Sequence, residues 1–146
     1  MASVDDVAAA VLARVGTIDT FKLQKLVYYC QAWHLVWEDR KLFDARIEAW
    51  ANGPVVPKLY RQHRGLYRVR EWPSGDASRL SKAEATTIDA VCDFYGDRTG
   101  MELAELTHRE PPWREVRRAA GLAPGQRGKA EIPPSAMLEY YQSLLD

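Results

Sequence analysis

Apolar residues recur at three- and four-residue steps through most of this chain, which is the spacing of amphipathic helices. Valines follow that spacing between residues 4 and 15, and Ser3 and Gly16 are residue types that commonly start and end a helix. The densest pattern begins after Asp19, where apolar residues occupy more than one side of a long helix. The sequence therefore predicts an N-terminal helix followed by a central helix that is contacted on several sides.

The pattern changes to a two-residue alternation between residues 47 and 50, which predicts a short strand. Asn52 and Gly53 follow this strand and predict a turn with a positive φ angle at the glycine. Pro54 suits the first turn of a helix, because an N–H group has no intrahelical partner there, so we expect the next helix to begin at this proline. A second short strand is expected between residues 66 and 72.

Two capping boxes predict where the next helices start. Ser81 and Glu84 precede one helix, and Thr99 and Glu102 precede another. A Pro-Pro pair then starts a further helix, and a Gly/Pro-rich loop leads to the last one. The predicted fold is mainly α: one compact helical bundle, a single domain over residues 1–146, with a short two- or three-stranded sheet.

Composition narrows the possible partners. The 146 residues carry 20 Lys and Arg against 20 Asp and Glu, and this balance disfavours a nucleic-acid reader, because such domains are usually basic. No apolar run approaches the length that spans a membrane, and the N-terminal segment carries Asp5 and Asp6 where a signal peptide would be basic. Cys30 and Cys92 are far apart and suit reduced thiols. We therefore expect a cytoplasmic protein without a membrane partner.

Candidate catalytic and metal-binding residues are sparse. Cys30 and His34 could supply two zinc ligands from one helix, but a closed zinc site needs four, so we expect Cys30 to pack as a small apolar residue and His34 to bond a polar neighbour. A general base at His108 would need a nucleophile within reach. We instead expect Thr107 and His108 to end a helix while Trp113 folds back on the core. No catalytic residue, cofactor or metal is expected, and the protein is not predicted to be an enzyme.

One stretch is basic without an intervening acid: Lys58, Arg61, Arg64, Arg68 and Arg70. Three interpretations remain open, namely a solvated helix face, a surface that steers an acidic protein partner, and a nucleic-acid contact with tyrosines stacked on bases. Trp72 lies in the following loop and is either a partner-binding hot spot or a cover for the edge of the core. The candidate partner-binding residues are Tyr60, Arg61, Arg64, Tyr67, Arg68 and Trp72.

Three blocks of the sequence, residues 22–37, 42–60 and 106–113, resemble in this order the Panacea domain of SocA-like and GepA-like antitoxins, which include phage-associated bacterial proteins. With the last helix, the resemblance covers nearly the whole chain from about Phe21. The positions that carry the resemblance are interpreted as determinants of the fold: Leu23, Gln24, Lys25, Tyr28, Trp33, His34, Glu48, Trp50, Gly53, Pro54, Val55, Thr107, His108, Pro112 and Trp113.

The resemblance implies a largely helical domain that neutralises a toxin by direct protein contact, with the toxin gene as its neighbour. The first hypothesis is therefore an antitoxin of a toxin-antitoxin system that binds its cognate toxin and occludes it. The resemblance to SocA implies an alternative, a proteolytic adaptor that delivers the toxin to a cellular protease.

Overall fold

The computed structural model describes all 146 residues, and helices dominate it. Of these residues 58% are helical, well above the roughly 30–35% of an average soluble domain, which confirms the mainly α prediction. The elements are α1 (Val4–Val15), β1 (Ile18–Asp19), α2 (Thr20–Glu38), β2 (Glu48–Trp50), β3 (Gly53–Val55), α3 (Pro57–His63), β4 (Arg68–Val69), a 3₁₀ turn (Ala77–Arg79), α4 (Lys82–Tyr95), α5 (Gly100–Arg109), α6 (Pro111–Ala119) and α7 (Pro134–Ser143). The small sheet predicted from the sequence is two separate antiparallel pairs, β1 with β4 and β2 with β3.

Helix α2 lies at the centre of the molecule, as its all-round apolar pattern predicts. It packs against α1, α4, α5 and α7, and every residue from 23 to 32 is buried. The Asp19 side chain accepts a hydrogen bond from the Lys22 N–H at 2.8 Å and so caps the start of the helix. A helix buried on all sides also buries its polar side chains, which must then find partners inside the protein.

The local signals for helix ends are confirmed. Both predicted capping boxes are present, at Ser81 with Glu84 and at Thr99 with Glu102. Ser3 caps α1, and Gly16 follows its last residue with a φ angle of 81°. None of the helices has both the length and the apolar run that crossing a membrane requires.

The helix predicted to begin at Pro54 begins at Pro57 instead. Gly53–Val55 forms the second strand of a hairpin, with Trp50 opposite Gly53, whose φ angle of 123° agrees with the predicted turn. Pro54 tolerates a strand position here because it lies opposite Ala49, whose N–H donates away from the hairpin to Ala130 O at 2.8 Å. The proline therefore faces no ladder hydrogen bond that it would need to donate.

The side chain of Gln24 fixes where α3 starts. Its Oε1 accepts a hydrogen bond from the Val56 N–H at 2.8 Å, and its Nε2 donates to Val56 O at 3.3 Å. These bonds hold Val56 in an extended conformation and delay the helix by three residues. The strand expected between residues 66 and 72 is also shorter than predicted, since only Arg68–Val69 pairs with β1.

The loop between α6 and α7 returns along the hairpin and completes the region of interest. Ile132 N–H donates to Ile47 O at 2.9 Å, which extends the hairpin by an isolated bridge. Arg117 is buried and donates to Ala49 O at 2.9 Å and to Ala123 O at 3.0 Å. This guanidinium fixes the loop against the hairpin, so the basic segment at residues 127–129 lies next to β2 and β3.

Trp113 anchors α6 to the hairpin. It is 9% exposed, its Nε1 donates to Trp50 O at 2.8 Å, and its ring stacks on His108 with centroids 4.0 Å apart. We expect Trp113→Phe to lower the free energy of unfolding by about 1–2 kcal/mol, because Trp50 O loses its donor and the pocket is underfilled. Urea unfolding measures this, with Trp37→Phe at a 45% exposed position as the control. Equal losses in the two variants would contradict the assigned anchor.

Candidate partner-binding site

A pocket of about 480 Å³ opens between the start of α2, the β2–β3 hairpin, α3 and the loop before α7. Its aromatic wall consists of Phe21, Trp50 and Tyr60, and Trp50 meets Tyr60 edge-on with centroids 4.9 Å apart. Its charged lining consists of Lys25, Arg127 and Lys129, and no Asp or Glu lines it. The pocket therefore combines apolar walls with an uncompensated positive charge.

Lys25 is the most unusual residue of the pocket. It is fully buried, and its Nζ has no hydrogen-bond partner and no salt bridge. The Nζ lies 5.2 Å from the centroid of the Phe21 ring. Burial lowers the pKa of Lys25 from 10.5 to about 7, and attraction by Asp19 opposes this only in part. The amine therefore loses much of its charge near neutral pH unless an acceptor reaches it.

The hairpin turn closes over the Lys25 side chain. A Cβ atom at Gly53 would lie 2.5 Å from Lys25 Cε and 3.2 Å from Thr107 Oγ1. This turn therefore requires a glycine for two reasons: a side chain would collide with Lys25, and the φ angle is positive. Lys25, Gly53 and Thr107 come from the three sequence blocks that carry the family resemblance, and they pack together at this one point of the structure.

The wall on the α3 side is polar and neutral. Gln24 Nε2 lies 2.9 Å from His63 Nε2, and the Gln24 carbonyl already accepts from Val56 N–H. Gln24 Nε2 is therefore the donor and His63 Nε2 the acceptor, which places the imidazole proton on Nδ1. Burial also lowers the pKa of His63, which agrees with a neutral ring.

Exposed apolar side chains surround the mouth of the pocket, and we call Phe21, Leu66 and Tyr67 the pocket rim. They are 50%, 56% and 68% exposed. The backbone brings them together, since the Thr20 N–H donates to Tyr67 O at 2.9 Å beside the β1–β4 pair. A group of exposed large apolar residues beside a pocket is typical of a protein-binding surface.

Two of the predicted partner-binding residues lie at the pocket or its rim. Tyr60 is half-buried and lines the pocket, while Tyr67 belongs to the rim. Arg61, Arg64 and Arg68 are exposed and form no salt bridge. Three cationic side chains are thus exposed to solvent without an acidic partner.

Trp72 is the exception among the predicted contacts. It is 7% exposed, its Nε1 donates to Asp5 Oδ1 at 2.9 Å, and its ring packs edge-on to His63. The prediction of an exposed hot spot at Trp72 is therefore corrected in favour of the alternative, a tryptophan that covers the edge of the core. Its indole N–H is already bonded within the chain, which leaves nothing to offer a partner.

The two remaining histidines lie in structural settings. His34 Nδ1 is 2.7 Å from Thr87 Oγ1, next to a buried Cys30. His108 stacks on Trp113, and burial lowers its pKa. No group of three or more His, Cys, Asp or Glu residues is arranged to hold a metal ion.

Sequence reasoning missed the pocket itself. It interpreted Lys25 as a determinant of the fold, and it predicted only a Gly/Pro-rich loop where Arg127 and Lys129 lie. One available signal was that Lys25 lies inside the densest apolar segment of the chain, where a helix contacted on several sides also buries its polar positions. No signal in the sequence places the loop at residues 127–129 against the hairpin, because Arg117 makes that contact from a distant element.

Comparison with known proteins identifies the family. No curated protein and no solved structure matches the chain. The profile of the family described as "Antitoxin SocA-like, Panacea domain" matches residues 23–114, more than half of the chain, and includes Lys25, Gly53 and Thr107. The matched segment contains most of α2, the hairpin and α3, which supply the pocket lining except for Thr20, Phe21 and the loop at residues 127–129. The protein belongs to the SocA-like antitoxin family that carries the Panacea domain.

Proposed function

We propose that this protein is the antitoxin of a toxin-antitoxin system and that it neutralises a cognate protein toxin by direct binding and occlusion. The observation that carries the proposal is one surface that joins a cationic pocket, an exposed apolar rim and unpaired arginines in a member of an antitoxin family. The toxin is encoded by an adjacent gene, and the pair acts in the cytoplasm, which suits the two free cysteines.

The surface has the composition that tight protein binding needs. Interfaces of ordinary size bury about 1,600 Å² in total, and a few aromatic and arginine anchors supply most of their binding energy. Phe21 and Tyr67 of the rim are aromatic anchors that lose exposed apolar area on binding. Arg61 and Arg64 extend the positive charge beyond the pocket and steer an acidic partner toward it.

Co-expression tests the proposal directly. We expect the product of the adjacent gene to arrest growth when it is expressed alone and to be harmless when this protein is present in excess. A folded, abundant copy of this protein that leaves growth arrested would overturn the antitoxin assignment. The half-life of the adjacent product separates the mechanisms, because occlusion leaves it unchanged and delivery to a protease shortens it.

The unpaired arginines give a prediction about binding. We expect the double substitution Arg61→Glu and Arg64→Glu to weaken the affinity for the adjacent product by about 10–50-fold, mainly through a slower association rate. The free energy of unfolding should change by less than about 0.5 kcal/mol, since both side chains are exposed and unpaired. Surface plasmon resonance at two salt concentrations measures the rates.

The control is Lys82→Glu with Arg118→Glu, which reverses two exposed charges that do not line the pocket. This control should bind like the wild type. Equal affinities for the control and for the Arg61/Arg64 double variant would remove the arginines from the interface.

A further inference from the structure

The Lys25 ammonium is unsatisfied inside the fold. Its Nζ has no partner in the chain and almost no surface that solvent reaches, although Lys25 is among the residues around a pocket that is open to solvent. A ligand in the pocket therefore reaches the amine only when Lys25 or a side chain that covers it moves. We propose that this pocket receives an aspartate or glutamate side chain of the bound toxin, whose carboxylate forms a buried ion pair with Lys25 Nζ. This inference rests on the proposed function, because it names the part of the toxin that the surface recognises.

An isolated buried ammonium destabilises the free protein. Removing an ammonium group from water is strongly unfavourable unless an opposite charge or good acceptors replace the water. Asp19 is the nearest acid that acts on Lys25, but its Oδ1 accepts from the Lys22 N–H. The Thr107 hydroxyl donates to Ala104 O at 2.7 Å. No side chain of the protein therefore supplies the acceptor that Lys25 lacks, and a carboxylate of a partner can supply it.

The charge of the pocket is complementary to that of an anion. Lys25, Arg127 and Lys129 all line the pocket, and no carboxylate lines it. An entering anion would therefore meet three cations and no opposing charge. The aromatic walls exclude water around the amine, which strengthens an ion pair that forms there.

The apolar surroundings of the pocket favour an anion that is carried on a protein side chain. The apolar rim of Phe21, Leu66 and Tyr67 is continuous with the pocket mouth through Phe21, and a free ion would make no use of it. A phosphate ion could bind the cations at the pocket floor, Lys25, Arg127 and Lys129, but it would leave the apolar rim unused. One carboxylate carried on an apolar protein surface matches both the floor and the rim.

The ion pair predicts a specific pH dependence of binding. Because burial lowers the Lys25 pKa to about 7 in the free protein, the carboxylate must capture a protonated amine whose population falls above that pH. Affinity should therefore decrease by up to about tenfold for each pH unit above 7. The other groups near Lys25 are Asp19 of β1, His63 of α3, His108 of α5, and Arg127 and Lys129 of the loop. Both histidines have lowered pKa values, so they are neutral throughout this range.

The test uses the purified product of the adjacent gene and calorimetric titration at several pH values. We expect Lys25→Met to bind about 100-fold more weakly than the wild type near neutral pH and to lose the decline of affinity above pH 7. Tyr67→Ala is the matched control at the rim, which should weaken binding but keep the wild-type pH dependence. Lys25→Met that binds as tightly as the wild type would overturn the ion pair and leave the proposed function intact.

The same experiments distinguish a failure of the proposed function from the binding of a free anion. If neither the wild type nor any variant binds the adjacent product, the proposed function itself fails. Acetate and inorganic phosphate, added without the toxin, test for a free anion in the pocket. Thermal stabilisation of the wild type but not of Lys25→Met by either ion, together with unchanged toxin binding by Lys25→Met, would overturn the assignment to a toxin side chain.

Discussion

Lys25→Met should make the free protein more stable than the wild type, by about 3–5 kcal/mol near pH 6. Methionine has a similar length and an apolar body, so it fills the same space against Gly53 and Phe21 without an ammonium group. In the wild type at this pH the lysine is charged in the unfolded chain and must either stay charged or release its proton on folding. Both routes cost free energy, and the substitution removes that cost.

The stability that Lys25→Met gains over the wild type should become smaller as pH rises. The pKa of Lys25 falls from 10.5 in the unfolded chain to about 7 in the folded protein, so the unfolded chain binds more protons between these values. The free energy of unfolding of the wild type therefore rises relative to that of Lys25→Met as pH increases from about 7 to 10.5. The advantage of the variant shrinks accordingly.

Urea unfolding at several pH values measures the difference between the two proteins. The control is Lys58→Met, which changes an exposed lysine on α3 and should leave the difference from the wild type small and independent of pH. Parallel curves for the wild type and Lys25→Met across this range would show that the lysine is already neutralised by a partner inside the fold.

Stability and binding are thus expected to change in opposite directions at one residue. A variant that is more stable and yet fails to bind cannot be explained by misfolding, which makes Lys25→Met more informative than most interface substitutions. Residues whose local chemistry conflicts with the fold are often found at functional sites. Lys25, charged and unpaired in the central helix, is such a residue.

The elements that could be predicted from the sequence are those whose signals are local. Asp19 caps α2 through a residue three positions away, and the capping boxes of α4 and α5 also span three residues. Each of these contacts lies within one helical turn, so the sequence pattern contains both partners. The helices and the order of the elements follow from such signals and from apolar spacing.

The features that sequence reasoning missed depend on contacts between distant residues. The start of α3 is set by Gln24 acting on Val56, and the burial of Trp72 is set by its bond to Asp5. The burial of Lys25 depends on the hairpin turn at Gly53. In each case the two residues in contact are far apart in the sequence, so no local pattern contains both of them. The candidate site could therefore be predicted only in part, through Tyr60 and the basic residues that follow it in the sequence.

Glu110→Ala should destabilise the protein by about 3–5 kcal/mol, the largest loss that we expect from a single side chain. Glu110 is buried at the junction of α5 and α6, where its Oε1 accepts from Tyr29 at 2.6 Å and from Tyr141 at 2.8 Å. Tyr141 also lies 3.1 Å from the Tyr28 hydroxyl, so one carboxylate organises three buried phenols from α2 and α7. Alanine would leave the Tyr29 and Tyr141 hydroxyls without their acceptor and open a cavity between the helices.

Glu110→Gln separates the loss of an acceptor from the loss of a charge. The amide oxygen still accepts from the tyrosines, so we expect a smaller loss than in Glu110→Ala, about 1–2 kcal/mol near neutral pH. Burial raises the pKa of Glu110 in spite of the two tyrosine hydrogen bonds. The folded protein therefore holds the proton more tightly than the unfolded chain, and this contribution to stability is fully present below pH 4.5 and is lost as pH rises through the folded pKa.

The wild type should accordingly lose stability relative to Glu110→Gln as pH increases from about 4.5 toward neutrality. Urea unfolding of both proteins over this range measures the slope, and Glu139→Gln on α7 is the control at an exposed carboxylate, for which we expect no slope of this size. A constant difference between the wild type and Glu110→Gln would mean that the carboxylate is as easily ionised inside the protein as in water. The tyrosine donors would then fully offset its burial, because two hydrogen bonds to a charged acceptor can balance a desolvation penalty of this order.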